Sequence, residues 1–420
     1  MIHGKEILAG PLSREEVANI ALAGMEGRDW AGKDVLVIAP DHTRKAPIGL
    51  FFRLIYDRLG QETRHLDYLI ASGTHKAMDE GDIFRRVGIT ADDYRERYSK
   101  VRFFTHVYDD PAELREAGIL AGHEMAVFTN GLFSEDMVIR INRRVYEYDH
   151  VIILGQVAPH EAAGFSGGHK YLIPGVADAE IISAFHWLAA IITNPVINGR
   201  RDNPVRAFLN RAAELISIDP LCFSFVVRDD GALECLYIGP TQESWEKAAD
   251  CSARVHIITK PRPYETILGL APTFLDDLWV GGKVMYKHEP ILADGGELII
   301  YAPHITELSY THGAVLREIG YHVRDYFLGQ WDKFRDYPKM ILGHSTNVRG
   351  IGTYLDGVEL PRVQVTLATG ISPEVCQQVN LGYRNPADIE PEEWRGKEDD
   401  GLLVVENAGH SLYRLKAEAE

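Results

Sequence analysis

The feature that most constrains this chain recurs through its first half: a short, largely apolar run, a loop crowded with polar residues, then a helical stretch. Residues 34–39 form the first run and lead into Pro40-Asp41-His42-Thr43-Arg44-Lys45-Ala46-Pro47, after which the spacing predicts a helix over 48–59. Residues 66–71 form the second, ending in Ser72-Gly73-Thr74-His75-Lys76 ahead of a helix-like segment at 82–86. Residues 150–155 form the third and run into Gln156-Val157-Ala158-Pro159-His160. Runs this nearly continuous in apolar residues, broken only by Asp34, Asp67 and His150, suit parallel strands covered on both faces better than alternating ones would. In such a sheet the ligand binds beyond the carboxyl ends of the strands. All three polar clusters lie at that end, which predicts one shared pocket.

Beyond residue 181 an apolar stripe at helical spacing carries Phe185, Leu188 and Ile192, with His186 beside it and Asp178 placed to cap the helix. Residues 269–282, with a proline, two aspartates and a tryptophan, read as a helix or hinge near a domain boundary. Residues 297–302 and 363–368 read as strands of a second α/β unit, and 401–406 as a further strand. A chain of 420 residues has room for two domains. The expected architecture is therefore two α/β domains with largely parallel sheets and the active site in the cleft between them. The first covers 1–260 and the second 261–394, and the tail 395–420 either packs back on the first or stays with the second.

Charge narrows the function. The chain has 44 Lys plus Arg against 61 Asp plus Glu, a formal net charge of -17. That surplus repels a phosphate backbone and argues against nucleic-acid binding, while a local basic pocket still accommodates a small anion. No apolar run approaches the roughly 18 residues of a membrane span, and the N-terminus lacks a signal-peptide core. The four cysteines (Cys222, Cys235, Cys251, Cys376) are far apart with no C-x-x-C pair, so they read as reduced thiols of a cytoplasmic protein. They are too scattered to form a thiolate metal site.

The densest cluster runs from His160 to Gly175. It begins H-E-x-x but has Gly164 where a zinc protease needs a second histidine, so that chemistry is excluded. Ser166-Gly167-Gly168 is either a plain loop or a side-chain-poor turn whose backbone N–H groups cradle a phosphate or carboxylate. Most of the 17 histidines are expected to be ordinary. His75, His160 and His186 stand apart because each ends a strand or borders the expected pocket. Two imidazoles across a pocket serve as proton acceptor and donor near neutral pH, and a third can bind a metal. In Asp41-x-Thr43-Arg44, the carboxylate either closes a turn or joins the guanidinium in gripping an anionic ligand.

Together these motifs resemble the lactate racemase family, enzymes that use a nickel-pincer nucleotide. The resemblance is carried by D-x-T-R at Asp41–Arg44, S-G-T-H at Ser72–His75, the block from His160 through Ser166-Gly167-Gly168-His169-Lys170 to Pro174-Gly175, and His186. It covers roughly the N-terminal half. It implies an isomerase whose cofactor is nickel held by pyridinium-3-thioamide-5-thiocarboxylic acid mononucleotide, covalently attached at Lys170, with His186 completing the metal's coordination. His75 and His160 correspond to the acid/base pair. Asp41, Thr43, Arg44, Ser72, Gly73, Thr74, Ser166, Gly167 and Gly168 would lie along the cofactor. Arg44, Lys283, Trp279 and His304 would meet the substrate. Partners implied are a small 2-hydroxy acid and cofactor-assembly proteins.

The implied reaction inverts C2 of that acid by proton-coupled hydride transfer. Two departures bear on the substrate. Family members acting on lactate usually carry Gln three residues before the substrate lysine, and this chain has Val280; Arg44 is also followed by Lys45-Ala46-Pro47 rather than directly by proline. An amide replaced by an isopropyl group loses a hydrogen bond. A longer or more hydroxylated acid than lactate is therefore expected, read partly by His304 and Glu307 unless those two belong to a capped surface turn. The alternatives are a sugar-acid 2-epimerase with the same cofactor, or a catalytically silent protein that binds a hydroxy acid or nucleotide.

Overall fold

The computed structural model describes residues 1–6, 10–44, 46–73, 77–129, 131 and 133–416. The chain divides into two compact units. The first comprises Met1–Ala158, Phe165–Ile182 and Arg206–Val255; the second comprises Pro159–Gly164, Ser183–Val205 and His256–Glu420. Sequence reading expects a single cut near residue 260. Instead the chain passes between the units several times, because 159–164 and 183–205 pack with elements that follow residue 256. Lys287 Nζ donates to Pro159 O at 2.6 Å, and Asn194 Nδ2 donates to Tyr286 O and Glu289 Oε2, both at 3.1 Å.

The first unit is built on seven strands: β1 (His3–Glu6), β2 (Asp34–Pro40), β3 (His65–Ala71), β4 (Phe103–Thr105), β5 (His150–Gln156), β6 (Leu221–Val227) and β7 (Leu233–Pro240). Their spatial order is β1-β7-β6-β5-β2-β3-β4. From β6 to β4 all neighbours are parallel, and β7 and β1 finish one edge antiparallel. The apolar runs are the central strands. Val35, Val37 and Ala39 pack with Phe51, Phe52 and Ile55 of helix Ile48–Leu59, while Leu36 and Ile38 are also fully buried. Both faces are thus covered, which is why these strands show no polar alternation. Each such side chain stabilises the fold by about 1.5–3 kcal/mol. Register sets Pro40 beside Ala71 and Ile38 beside Ile153, so β2, β3 and β5 end together and their polar clusters share one sheet edge.

The second unit has five parallel strands: β8 (Tyr264–Leu270), β9 (Leu292–Ala302), β10 (Gln364–Thr369), β11 (Gly382–Tyr383) and β12 (Leu402–Val405), in the order β11-β10-β9-β8-β12. The tail does not return to the first unit. β12 pairs with β8 from Thr266↔Leu402 to Gly269↔Val405, and Leu412–Leu415 pairs with Ile257–Lys260. The reason is burial: Leu403 and Val405 complete an apolar core with Ile267, Leu298 and Leu367 along an edge of β8. The expected hinge at 269–282 also lies inside this unit, with Gly269 in β8 and a short helix at Leu278–Gly281. Among the described residues, no helix is long and apolar enough to cross a membrane.

Candidate active site

At the carboxyl edge of the first sheet, Asp41 follows β2 directly and is buried. Its Oδ1 accepts the Thr43 N–H at 3.1 Å and the Thr43 hydroxyl at 2.6 Å, so it closes a turn that leaves Thr43 exposed. Arg44 is half-buried. Ser72 follows β3 and donates its hydroxyl to His106 O at 2.8 Å, while the Gly73 N–H reaches Gly175 O at 3.3 Å. Thr74, His75 and Lys45 lie outside the described residues. Tyr171 ties these positions to the 166–175 segment. Burial pushes its phenol up to about 12, with Arg44 and Asp41 close enough to pull in opposite directions. The phenol is therefore neutral at physiological pH.

Ser166 to Lys170 form a tight turn over this edge. The Ser166 hydroxyl donates to Gln156 O at 2.8 Å and accepts the Ala158 N–H at 3.0 Å, and the Ser166 N–H goes to Ala158 O at 2.8 Å. Ser166 thus stitches the turn to the end of β5, and its own N–H is not part of an anion cradle. Gly167 (φ +85°) and Gly168 (φ +59°) follow in left-handed conformations. A Cβ on Gly167 would lie 2.7 Å from Val157 Cγ2, and one on Gly168 2.9 Å from Trp245 Cγ. Both the backbone angle and the packing demand glycine here. Lys170 sits half-buried on the following helical turn Gly168–Tyr171.

The second unit holds the other candidates. The segment bearing His160 is anchored by Lys287 at Pro159 O, by Asn203 Nδ2 at Ala163 O (3.5 Å) and by the Gly199 N–H at Gly164 O (2.9 Å). His160 Nδ1 accepts the Ala162 N–H at 3.1 Å, so the neutral ring carries its proton on Nε2; Glu161 Oε2 lies 3.6 Å from the same Nδ1. His186 is half-buried on helix Ala179–Ile192, which begins as expected with Asp178 Oδ1 accepting the Ile181 N–H at 2.9 Å. Helix Lys339–Arg349 passes close by: a Cβ on Gly343 would lie 3.0 Å from His186 O.

Trp279 is packed between two imidazoles. Its ring is 4.1 Å from His344, stacked at 29°, and 4.6 Å from His312. His344 Nδ1 is 2.9 Å from the Tyr286 hydroxyl and Nε2 is 3.4 Å from that of Tyr321. Burial, and then the charges of His312 and His186, pull His344 down to about 3, so it is neutral in any ordinary buffer. Burial likewise lowers His312, against the pull of Asp277. Val280 is half-buried on Leu278–Gly281, and Lys283 opens the helix Lys283–His288. His304 Nε2 contacts Leu275 O at 3.0 Å, and the exposed Glu307 is 3.8 Å from Arg317, contacts in keeping with a tied surface turn.

Residues 6–197 match the lactate racemase N-terminal domain. That segment belongs to the lactate racemase family. The chain is 22% identical over 304 residues to a lactate racemase of Thermoanaerobacterium thermosaccharolyticum, covering 71% of this chain and 64% of that one. To a lactate racemase of Lactiplantibacillus plantarum it is 25% identical over 183 residues, covering 42% and 39%. The alignments thus span less than two thirds of either curated relative. A solved structure of a Thermotoga maritima protein superposes with a TM-score of 0.84 at 32% identity over 98% of this chain and all of that one. The apoprotein structure of the Thermoanaerobacterium racemase gives 0.73 at 19% identity over 96% and 93%, a likeness of fold.

Sequence reading missed several residues around these lactate racemase motifs. Arg206 and Trp245 back the Ser166–Lys170 turn from helices Pro204–Glu214 and Thr241–His256, and His344 stacks on Trp279 from mid-helix. None lies in a recognisable motif. The Tyr310-Thr311-His312-Gly313 string offered some signal for His312, since it follows a strand end.

Proposed function

We propose that this protein is a 2-hydroxy acid racemase or epimerase that inverts C2 with a nickel-pincer nucleotide, on an acid longer or more hydroxylated than lactate. The observation that carries the reading is the position of Lys170. The lysine the family resemblance marks for covalent attachment stands on a turn whose two left-handed glycines pack closely against Val157 and Trp245. The donor set fits the cofactor. All four cysteines are buried free thiols, and burial pushes Cys222 and Cys376 up to about 11, so they are poor thiolate ligands. The resemblance has the soft donors come from the cofactor, which such cysteines are consistent with, and the protein would add the imidazole of His186. Buried reduced thiols are also in keeping with a cytoplasmic setting.

When bound, the cofactor supplies an acceptor that takes the α-hydrogen as hydride and returns it. By the resemblance, Lys283 would hold the substrate carboxylate, and Arg44 and Trp279 would also meet the substrate. His160 and His75 exchange the hydroxyl proton, one for each stereoisomer. With its proton on Nε2, as the Ala162 N–H to Nδ1 bond implies, His160 would offer that N–H to the C2 oxygen. To take a proton at Nε2 it must carry the other on Nδ1, and Glu161 Oε2 is the carboxylate placed to stabilise that form.

The test is co-production with cofactor-assembly proteins, followed by intact-mass, nickel and turnover measurements. Wild type should gain mass at Lys170, bind nickel and racemise a longer 2-hydroxy acid with the C2 hydrogen retained. Lys170→Ala should gain no mass, and His186→Ala should lose nickel. Full turnover by Lys170→Ala, or a loaded wild type inert toward every 2-hydroxy acid, would refute the assignment.

A further inference from the structure

Three consecutive carbonyls at the head of the Lys170 turn are held by two side chains from distant parts of the first unit. Arg206 donates to Phe165 O and, at 3.4 Å, to Gly167 O. Trp245 donates its Nε1–H to Ser166 O between them, at 2.8 Å. The two holders brace each other, since the Arg206 guanidinium carbon lies 4.0 Å from the centre of the Trp245 ring. They are only 3% and 1% exposed. A guanidinium that deep is costly unless its donors are used, and burial already pulls Arg206 down to about 9. The same tryptophan ring is what a Cβ on Gly168 would strike, so it also shapes the turn from its far side.

We propose that Arg206 and Trp245 are positioning residues that lock the Phe165–Gly167 backbone and thereby present the Lys170 amine for attachment of the nucleotide. The inference rests on the reading of Lys170 given above. Capturing three carbonyls in a row leaves the peptide units no rotation to share, so Lys170 starts from a fixed backbone. An arginine suits this task because its planar fork spans two acceptors, which a lysine cannot do.

Two variants test it. Trp245→Phe keeps an aromatic ring in the core but removes the pyrrole half of the indole with its Nε1–H; Arg206→Lys keeps the charge and removes the fork. Hydrogen exchange in the cofactor-free protein reads the turn directly. Amides of 166–170 should exchange about tenfold faster in each variant, with helix Ile48–Leu59 unchanged. After co-production with assembly proteins, the fraction carrying added mass at Lys170 should fall about tenfold against wild type, as lost pre-organisation predicts. Folded variants that keep wild-type exchange, or that loosen the turn yet load as well as wild type, would overturn the proposal. If one variant fails to fold, the other decides. If wild type itself gains no mass at Lys170, the attachment reading fails, and the exchange result alone decides whether the brace exists.

Discussion

Replacing His288 with leucine should remove one identifiable part of the protein's acid sensitivity. His288 is 0% exposed, with Nδ1 2.6 Å from Val284 O and no hydrogen-bond partner for Nε2 among the described residues. Burial first, then the neighbouring Lys287 charge, pulls it down to about 4 from an ordinary 6.5. Its folded-state value lies below the unfolded one, so the neutral form is the one the fold favours. The associated stability is present above pH 6.5 and is lost as pH falls toward 4. The full loss is about 3 kcal/mol, of which about 1 kcal/mol falls between pH 6 and 5. Leucine removes the titration and the orphaned nitrogen, and with them the bond to Val284 O, a cost of about 1 kcal/mol that is the same at every pH and does not affect the pH-dependent difference. Glu289 beside it is also fully buried and its pKa is raised by burial, giving a dependence of opposite sign. That contribution is common to both proteins and drops out of their difference. Urea unfolding of wild type and His288→Leu at pH 7.5, 6 and 5, followed by tryptophan fluorescence, gives that difference. The wild type should lose about 1 kcal/mol more than the variant between pH 6 and 5. Curves that stay parallel within about 0.3 kcal/mol would refute the reasoning.

The other perturbations probe the candidate site. Glu161→Gln should slow turnover of the loaded enzyme about 100-fold without changing the mass added at Lys170, as expected for losing support of a proton-transferring imidazole; intact mass and steady-state rates check both halves. Val280→Gln should move the ratio of kcat/KM values toward lactate by about tenfold or more, measured on a panel of 2-hydroxy acids. Gly164→Ala places a Cβ 2.0 Å from Arg200 O, a backbone atom that cannot swing away, so a loss above about 3 kcal/mol is expected in thermal melts.

The fold was legible wherever one strand's own composition decided its environment. Residues 34–39, 66–71 and 150–155 are largely apolar because their strands are buried, and helix Ile48–Leu59 has the bounds its spacing predicts. Pairing was not legible. β12 is equally apolar whether it joins one sheet or the other, and only the vacant edge of β8 settles the matter. The site divides in the same way. Asp41, Ser72, Lys170 and His186 stand in local motifs, so the resemblance could mark them. Arg206, Trp245 and His344 act through helices remote in sequence, and in the primary structure they look like any other core-facing side chains. Asp41 shows the limit from the other side: both readings of its motif predicted a carboxylate at the strand end, and the observed bonds to Thr43 are those of a closed turn.

Helix Lys283–His288 shows how much of the second unit's chemistry hangs on a few packed residues. Six residues are too few to hold helical structure alone, so its geometry must come from what it touches. Lys283 opens it, Tyr286 bonds His344, and Lys287, 5% exposed, donates to Pro159 O immediately before His160. Lys287→Met keeps the length and apolar stem and leaves Pro159 O without that donor, a cost of about 1–3 kcal/mol. Part of that should appear as a loosened His160 segment. The expected signature is faster hydrogen exchange over 160–164 and a lower kcat in the loaded enzyme, while mass addition at Lys170 stays at the wild-type level. Attachment depends on the first unit's turn, whereas Lys287 anchors a strand of the second, so the two readouts should separate. Equal losses in loading and in turnover would mean that the His160 segment and the Lys170 turn are ordered as one piece, and that this division of labour is wrong.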